Sequence, residues 1–193
     1  QATILSNKES VARLRGLSQE LDLAIHLSLE PSDLSNGDAA IKKNDCRLIE
    51  ELATAQLLSP KLMITGSERL SMGEIDMMNL TGTQAVVCQA SDMIKPKGIS
   101  NLGKLIHASH NVGLGSDSSA TNSNFDLFRE TAGIARIMKS ESTKTTTYTD
   151  AKVIEMSTYG GAKALGLEDT IGSLEKNKLA DVIAIDMSDF RTK

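Results

Sequence analysis

Residues 111–124 read NVGLGSDSSATNSN. The apolar run Val112 to Leu114 stops at Gly115 and gives way to a polar loop with one acid, Asp117. A short apolar run bounded by turn formers predicts a buried parallel strand. In α/β proteins, ligands and catalytic groups collect at the carboxyl ends of such strands. Asp117 is therefore a candidate metal ligand or proton carrier, and the rest of the chain is expected to build the wall around it.

Downstream of this stretch, residues 125–139 (FDLFRETAGIARIMK) are strongly amphipathic and predict a helix. Glu141 to Thr147 is a Ser/Thr-rich connection, expected to be a mobile loop. Thr149 can cap a helix from Asp150 to Leu165 that Gly166 ends, and residues 180–186 (ADVIAID) predict a strand. Upstream, residues 8–20 place Val11, Leu14 and Leu17 at helical spacing. Leu21 to Leu29 (LDLAIHLSL) is nearly all apolar, with His26 inside it, and predicts a buried strand. Residues 30–45 hold the Pro, Gly, Asn and Asp of a loop. A helix over Cys46 to Leu58 and a strand over residues 61–65 (KLMIT) follow. Ser71 and Glu74 have the spacing of a capping box, and Gly82 is placed to close the helix they open. Ala85 to Gln89 predicts a strand, then comes a loop through Pro96 and Gly98 and a short helix over 100–109. Strand and helix thus alternate at short intervals, which indicates an α/β class with parallel strands. About four strand–helix units plus a closing strand are present. A complete eight-unit barrel takes about 250 residues, so 193 residues predict one domain, 1–193, forming a partial barrel.

Composition narrows the function classes. The net charge of −4, with no run of Lys or Arg, argues against a nucleic-acid surface. No apolar stretch approaches the roughly 20 residues that cross a bilayer. With 3% aromatic residues and no Trp, the core must be aliphatic and Met-rich. The two cysteines, Cys46 and Cys88, fit a reduced, cytoplasmic protein better than a disulfide framework.

Several residues invite chemistry and have plainer readings beside it. His26, in an apolar strand, is either a hydrogen-bonded sheet histidine or a ligand. His107 and His110 flank a helix end and read as solvated groups or partners of the helix dipole. Gly113-Leu114-Gly115 after a strand lacks the third glycine of a dinucleotide loop and the helix that should follow. Ser116, Ser118 and Ser119 sit in no nucleophile elbow and read as loop hydroxyls. Met72, Met77 and Met78 read as core filling. If the strands of His26 and Asp117 open on one rim, imidazole and carboxylate could hold an ion and lower the pKa of its bound water.

Three stretches, VGLGSDSSATNSNFDLFRE, IEMSTYGGAKALGL and IGSLEKNKLADVIAID, resemble the amidohydrolase superfamily. Within it they are most similar to the chlorohydrolase and S-adenosylhomocysteine/methylthioadenosine deaminase branch. That branch writes them LGTDG-A-SNN-D, MAT-GGA-ALGL and GSLE-GK-ADLV. The similarity runs from about His26 to the end of the chain. It implies a (β/α)8 barrel of the TIM type, of which this chain holds the later strands, about five to eight. It implies one divalent metal, zinc or iron, and hydrolysis of a C–N bond, with loss of ammonia or another leaving group, on a purine-like or triazine-like ring. His26 matches the metal-binding histidine of the fifth strand, and Asp117 the eighth-strand aspartate that contacts the metal and shuttles a proton.

The same resemblance marks departures. The paired His-x-His of the first strand has no counterpart. The glutamate after the fifth strand falls on Leu29, leaving Glu30, one place late, as the candidate substrate-binding carboxylate. The sixth-strand histidine falls on Gly66, the next strand's histidine on Val87, and Asn177 replaces a turn glycine. Two function classes follow: a metal-dependent hydrolase, or a non-catalytic, metal-free relative that serves as an assembly module. In either case two open sheet edges predict self-association or a partner that covers them.

Overall fold

Four strands, β1 (Ile25–Ser28), β2 (Leu62–Thr65), β3 (Gln84–Val87) and β4 (Val112–Leu114), lie side by side in sequence order, each parallel to the next. The computed structural model describes residues 8–29, 48–67, 70–94, 102–108, 111–122, 124–141, 149–186 and 188. Parallel neighbours require a crossover, and helices supply it. Helix α2 (Leu48–Thr54) lies between β1 and β2, α3 (Met72–Thr81) between β2 and β3, and α4 (Gln89–Ile94) with α5 (Leu102–Ala108) between β3 and β4. Helix α1 (Lys8–Glu20) precedes the sheet, and α6 (Leu127–Glu141), α7 (Asp150–Ser157) and α8 (Tyr159–Ala164) follow it. The repeated strand–helix order is that of a partial α/β barrel.

Side-chain alternation gives the sheet two faces. Leu62, Ile64, Ala85, Val87, Val112 and Leu114 meet Ile49, Leu52, Ile75, Met78, Ile134 and Met138 in the main core. Each fully buried Leu, Ile or Met there contributes about 1.5–3 kcal/mol of transfer free energy. The alternate positions face the other way, where Met63, Val86 and Cys88 form a smaller cluster with Ala164 of α8. In register, His26 lies beside Met63, and Gly113 beside Val86. His26 and the chain leading to Asp117 therefore belong to this second face.

Local signals set the element ends. The Ser71 hydroxyl accepts from the Glu74 amide while Glu74 accepts from the Ser71 amide, completing the capping box, and Gly82 closes α3 at φ 71°. Thr149 caps α7 through the Lys152 amide. Of the Met trio, Met78 is buried, Met77 packs against the core and Met72 is exposed.

Other expectations are corrected. The strand predicted over Leu21 to Leu29 is confined to Ile25–Ser28. Asp22, at φ 57°, turns the chain out of α1, so Leu21 and Leu23 stay exposed. The amphipathic helix begins at Leu127, because Asp126 accepts from the Phe128 and Arg129 amides and starts it. Residues 89–94, read as the end of a strand and a loop, form α4. The single helix expected over 150–165 is two, broken at Thr158 (φ −118°, ψ −87°). Residues 180–186 form no strand: they pair with no sheet and are exposed, Ile183 at 72%. Strand propensity alone does not make a strand without a neighbour to share its hydrogen bonds. The expected loops over 30–45 and 142–147 and Cys46 lie outside the described residues.

Candidate functional site

Asp117 sits three residues beyond β4, with φ 58° and an exposed side chain. The Gly115 amide still donates to the Val87 carbonyl, so the sheet's ladder continues to within two residues of it. Around the carboxylate the first turn of α4 supplies partners. The Ser91 hydroxyl, wholly buried, donates to Asp117 Oδ2, and the Thr121 hydroxyl donates to the same oxygen at 3.2 Å. The Asp117 backbone amide makes a hydrogen bond with the Cys88 sulfur. Cys88 is a buried free thiol, pushed up to about 12 by burial and then by the Asp92 and Asp117 carboxylates. It is no thiolate near neutral pH.

A second acid underlies this turn. Glu130 of α6 is 1% exposed. Its Oε2 accepts from the Ala90 amide at 3.0 Å, and its Oε1 accepts from Asn122 Nδ2 at 2.6 Å. Burial raises its pKa, opposed by the Ala90 hydrogen bond. Sequence reading missed Ser91, Cys88 and Glu130 as parts of this site. Glu130 carried a signal, since it stands four and eight residues before Ile134 and Met138 on the buried stripe of α6. The serines read as loop hydroxyls behave so in part: the Ser118 carbonyl accepts from the Thr121 and Asn122 amides.

The other expected ligand positions do not join Asp117. His26 lies in β1, at the opposite edge of the sheet from β4. Three strand spacings separate these edges, roughly 14 Å measured along the sheet. Gly66 has φ +76°, and a Cβ built on it would stand 3.2 Å from the Leu29 carbonyl oxygen. A histidine there would be strained. Val87 is 1% exposed within the helix-side core, so it faces away from Asp117. The residue that turns toward Asp117 is the next one, Cys88, just past the end of β3. Leu29 packs against the helix-side core as well. Glu30 and His110 lie outside the described residues, and His107 is exposed in the last turn of α5. Among the described residues no group of three or more His, Cys, Asp or Glu side chains could hold a metal ion. The residues described do not by themselves fit a divalent metal centre.

Comparison with known proteins agrees with this architecture. The model of the amidohydrolase family matches residues 17–193. The 5-methylthioadenosine/S-adenosylhomocysteine deaminase of Teredinibacter turnerae is 32% identical over 179 residues, 92% of this chain and 40% of that protein. The 5'-deoxyadenosine deaminase of Methanobrevibacter smithii is 29% identical over 94% of this chain and 41% of its own length. Among solved structures, an adenosine deaminase from Xanthomonas campestris with bound zinc superposes with a TM-score of 0.85 at 28% identity, over 97% of this chain and 42% of that one. An E. coli guanine deaminase, at 20% identity and a TM-score of 0.72 over 90% of this chain and 40% of its own, shares the fold. The chain spans about 40% of the length of these relatives. No helix among the described residues is long and apolar enough to cross a membrane. Sheet order, motif content and family match converge: this chain belongs to the amidohydrolase family.

Proposed function

We propose that this chain is a single domain supplying strands five to eight of an amidohydrolase barrel. Completed by the front strands, it hydrolyses a C–N bond of a purine-like or triazine-like ring. The observation that carries the reading is Asp117, an exposed carboxylate held by Ser91 at the mouth of a parallel sheet, on the face that also carries His26. In hydrolytic deamination, water adds its oxygen to the ring carbon and the amino group leaves as ammonia. A positioned carboxylate takes the proton from the water and delivers it to the departing nitrogen. Asp117 is the group we assign to that transfer. Glu30 is the candidate for contacting the ring.

A divalent ion, zinc or iron, belongs to this reading only with ligands beyond those described, because His26 and Asp117 lack companions. The edges of β1 and β4 each lack a neighbouring strand in the described sheet. A front half, on this polypeptide or another, or a second copy of the chain would cover them. We place the protein in the cytoplasm, which its content of only two cysteines supports.

A second reading is favoured by Gly66 and Val87. One stands where a histidine would be strained and the other points into the core. On that reading the chain is a metal-free assembly module. Elemental analysis after chelator-free purification, with an ammonia-release assay on adenosine-type substrates, separates the two. About one zinc or iron per chain, lost in Asp117→Ala, supports the hydrolase. Neither metal nor ammonia from the chain, alone or completed by a relative's front half, overturns it. Mass under native conditions tests the open edges, and a stable monomer would contradict the need for cover.

A further inference from the structure

We propose that Glu130, Ser91 and Asn122 form a clamp that fixes the loop carrying Asp117 onto the first turn of α4, so that Glu130 and Ser91 are positioning residues for that carboxylate. The loop is tied at two points. At its start, Asp117 receives the Ser91 hydroxyl on Oδ2. At its end, Asn122 donates to Glu130 Oε1 at 2.6 Å, and the other oxygen of the same carboxylate accepts from the Ala90 amide at 3.0 Å. Ala90 and Ser91 are consecutive, so both ties close on one turn of α4. The residues joined are far apart in sequence: 40 positions separate Ala90 from Glu130, and 26 separate Ser91 from Asp117.

Two features show why a clamp is required. Asp117 stands at φ 58°, a left-handed conformation that neighbours must sustain in a residue other than glycine. Glu130 is buried in an apolar stripe, where a carboxylate persists only if both oxygens have donors. An apolar residue would fill that place on α6 and leave the Ala90 amide and Asn122 without an acceptor. The carboxyl group of Glu130 thus serves the loop rather than the core. The meaning of the clamp rests on the reading of Asp117 as the functional carboxylate, but the fastening itself is measured without it.

The test is residue-resolved amide hydrogen exchange on the full chain. The amides of Gly115, Asp117, Thr121 and Asn122 report the loop, and those of Ile64 and Ala85 report the sheet. Asn122→Ala and Ser91→Ala should each speed loop exchange about tenfold, the effect of losing one hydrogen bond, with the sheet amides unchanged. Glu130→Met, which keeps the volume and removes both acceptors, should speed it further, and Glu130→Gln, which keeps one, should restore part of the protection. A loop that exchanges at the wild-type rate in Asn122→Ala and Ser91→Ala overturns the clamp. So does an equal rise in loop and sheet amides, which would report only lost stability. The metal and ammonia assays fail or succeed independently of this result.

Discussion

Helix α8 meets β4 through two glycines, and their neighbour in sequence should respond in the opposite sense to the same substitution. A Cβ built on Gly160 would lie 2.5 Å from the carbonyl oxygen of Val112. One built on Gly113 would lie 2.9 Å from the carbonyl oxygen of Gly160. Both obstacles are backbone, so no side chain can swing aside. For Gly160→Ala the helix must retreat by about 0.9 Å to reach ordinary contact at 3.4 Å. It would carry Ala164 away from Val86 and Cys88. Overpacking of this kind costs about 1–3 kcal/mol, against about 1 kcal/mol gained from alanine's better helix propensity. The net loss is about 0–2 kcal/mol. At about 2–4 °C per kcal/mol for a chain of this size, Tm should fall by up to about 8 °C. Gly161, one residue on, meets nothing closer than the Met156 carbonyl at 4.0 Å. Gly161→Ala should therefore raise Tm by about 2–4 °C from propensity alone. The double variant Gly113→Ala/Gly160→Ala should lose less than the sum, since one retreat relieves both contacts. Thermal unfolding followed by far-UV circular dichroism reads all of these. If Gly160→Ala is as stable as Gly161→Ala, α8 does not press on β4 as described.

Further outcomes test other parts of the structure. Gly82→Ala should cost about 1–2 kcal/mol, because φ is +71° and a Cβ would meet the Pro60 ring at 3.0 Å; an unchanged urea midpoint would contradict the left-handed cap. Cys88, with its thiol pushed up to about 12, should resist iodoacetamide at pH 8 in the folded chain and react readily in urea, as mass spectrometry of the labelled peptide would show. Rapid native labelling would place the thiol in a different environment. Glu130 has a raised folded pKa, caused by burial, so its neutral form is favoured on folding. Its contribution is fully present at acid pH and declines as pH rises through the folded pKa. Wild-type stability relative to Glu130→Gln should therefore fall between pH 4 and pH 7, and a difference that stays constant or grows would reverse the sign.

Much of the frame was legible because it rests on short-range rules. The capping box of Ser71 and Glu74 and the closing Gly82 need only their own segment. The four apolar runs announce buried parallel strands. What escaped depends on distant groups. Helix α4 begins directly after the apolar AVVC run, and periodicity cannot divide six residues from the strand before them. The break at Thr158 exists where Gly160 presses on Val112, a contact between segments 48 residues apart. Residues 180–186 carry strand-forming side chains but no neighbouring strand. The site shows the same division. Asp117 was visible as a lone acid after a strand, whereas Ser91 and Glu130 acquire their roles only when α4 and α6 meet. The family motifs singled out Asp117 and His26. The position they give to a histidine falls on Val87, whose side chain alternation turns to the helices, leaving the inner face to Cys88.

The departures at Leu29 and Gly66 are one structural change rather than two. A Cβ on Gly66 would meet the Leu29 carbonyl oxygen at 3.2 Å and the Leu29 Cβ at 3.5 Å. The Leu29 amide in turn donates to the Thr65 carbonyl, at 2.8 Å. The ends of β1 and β2 are thereby locked in a form that favours glycine at 66. Restoring a single ligand should accordingly fail. Gly66→His should lose about 1–2 kcal/mol from the left-handed backbone alone, with a further penalty if the Leu29 carbonyl cannot give by a few tenths of an ångström. Among the described residues its imidazole would also find only His26 and Asp117 as candidate companions, on or beyond strands at opposite edges of the sheet. The expected result is a lower Tm and no zinc by elemental analysis after dialysis against excess metal. If Gly66→His instead keeps full stability and retains one zinc per chain, the backbone at 66 tolerates a side chain. The missing histidine would then be an isolated substitution in an otherwise competent site.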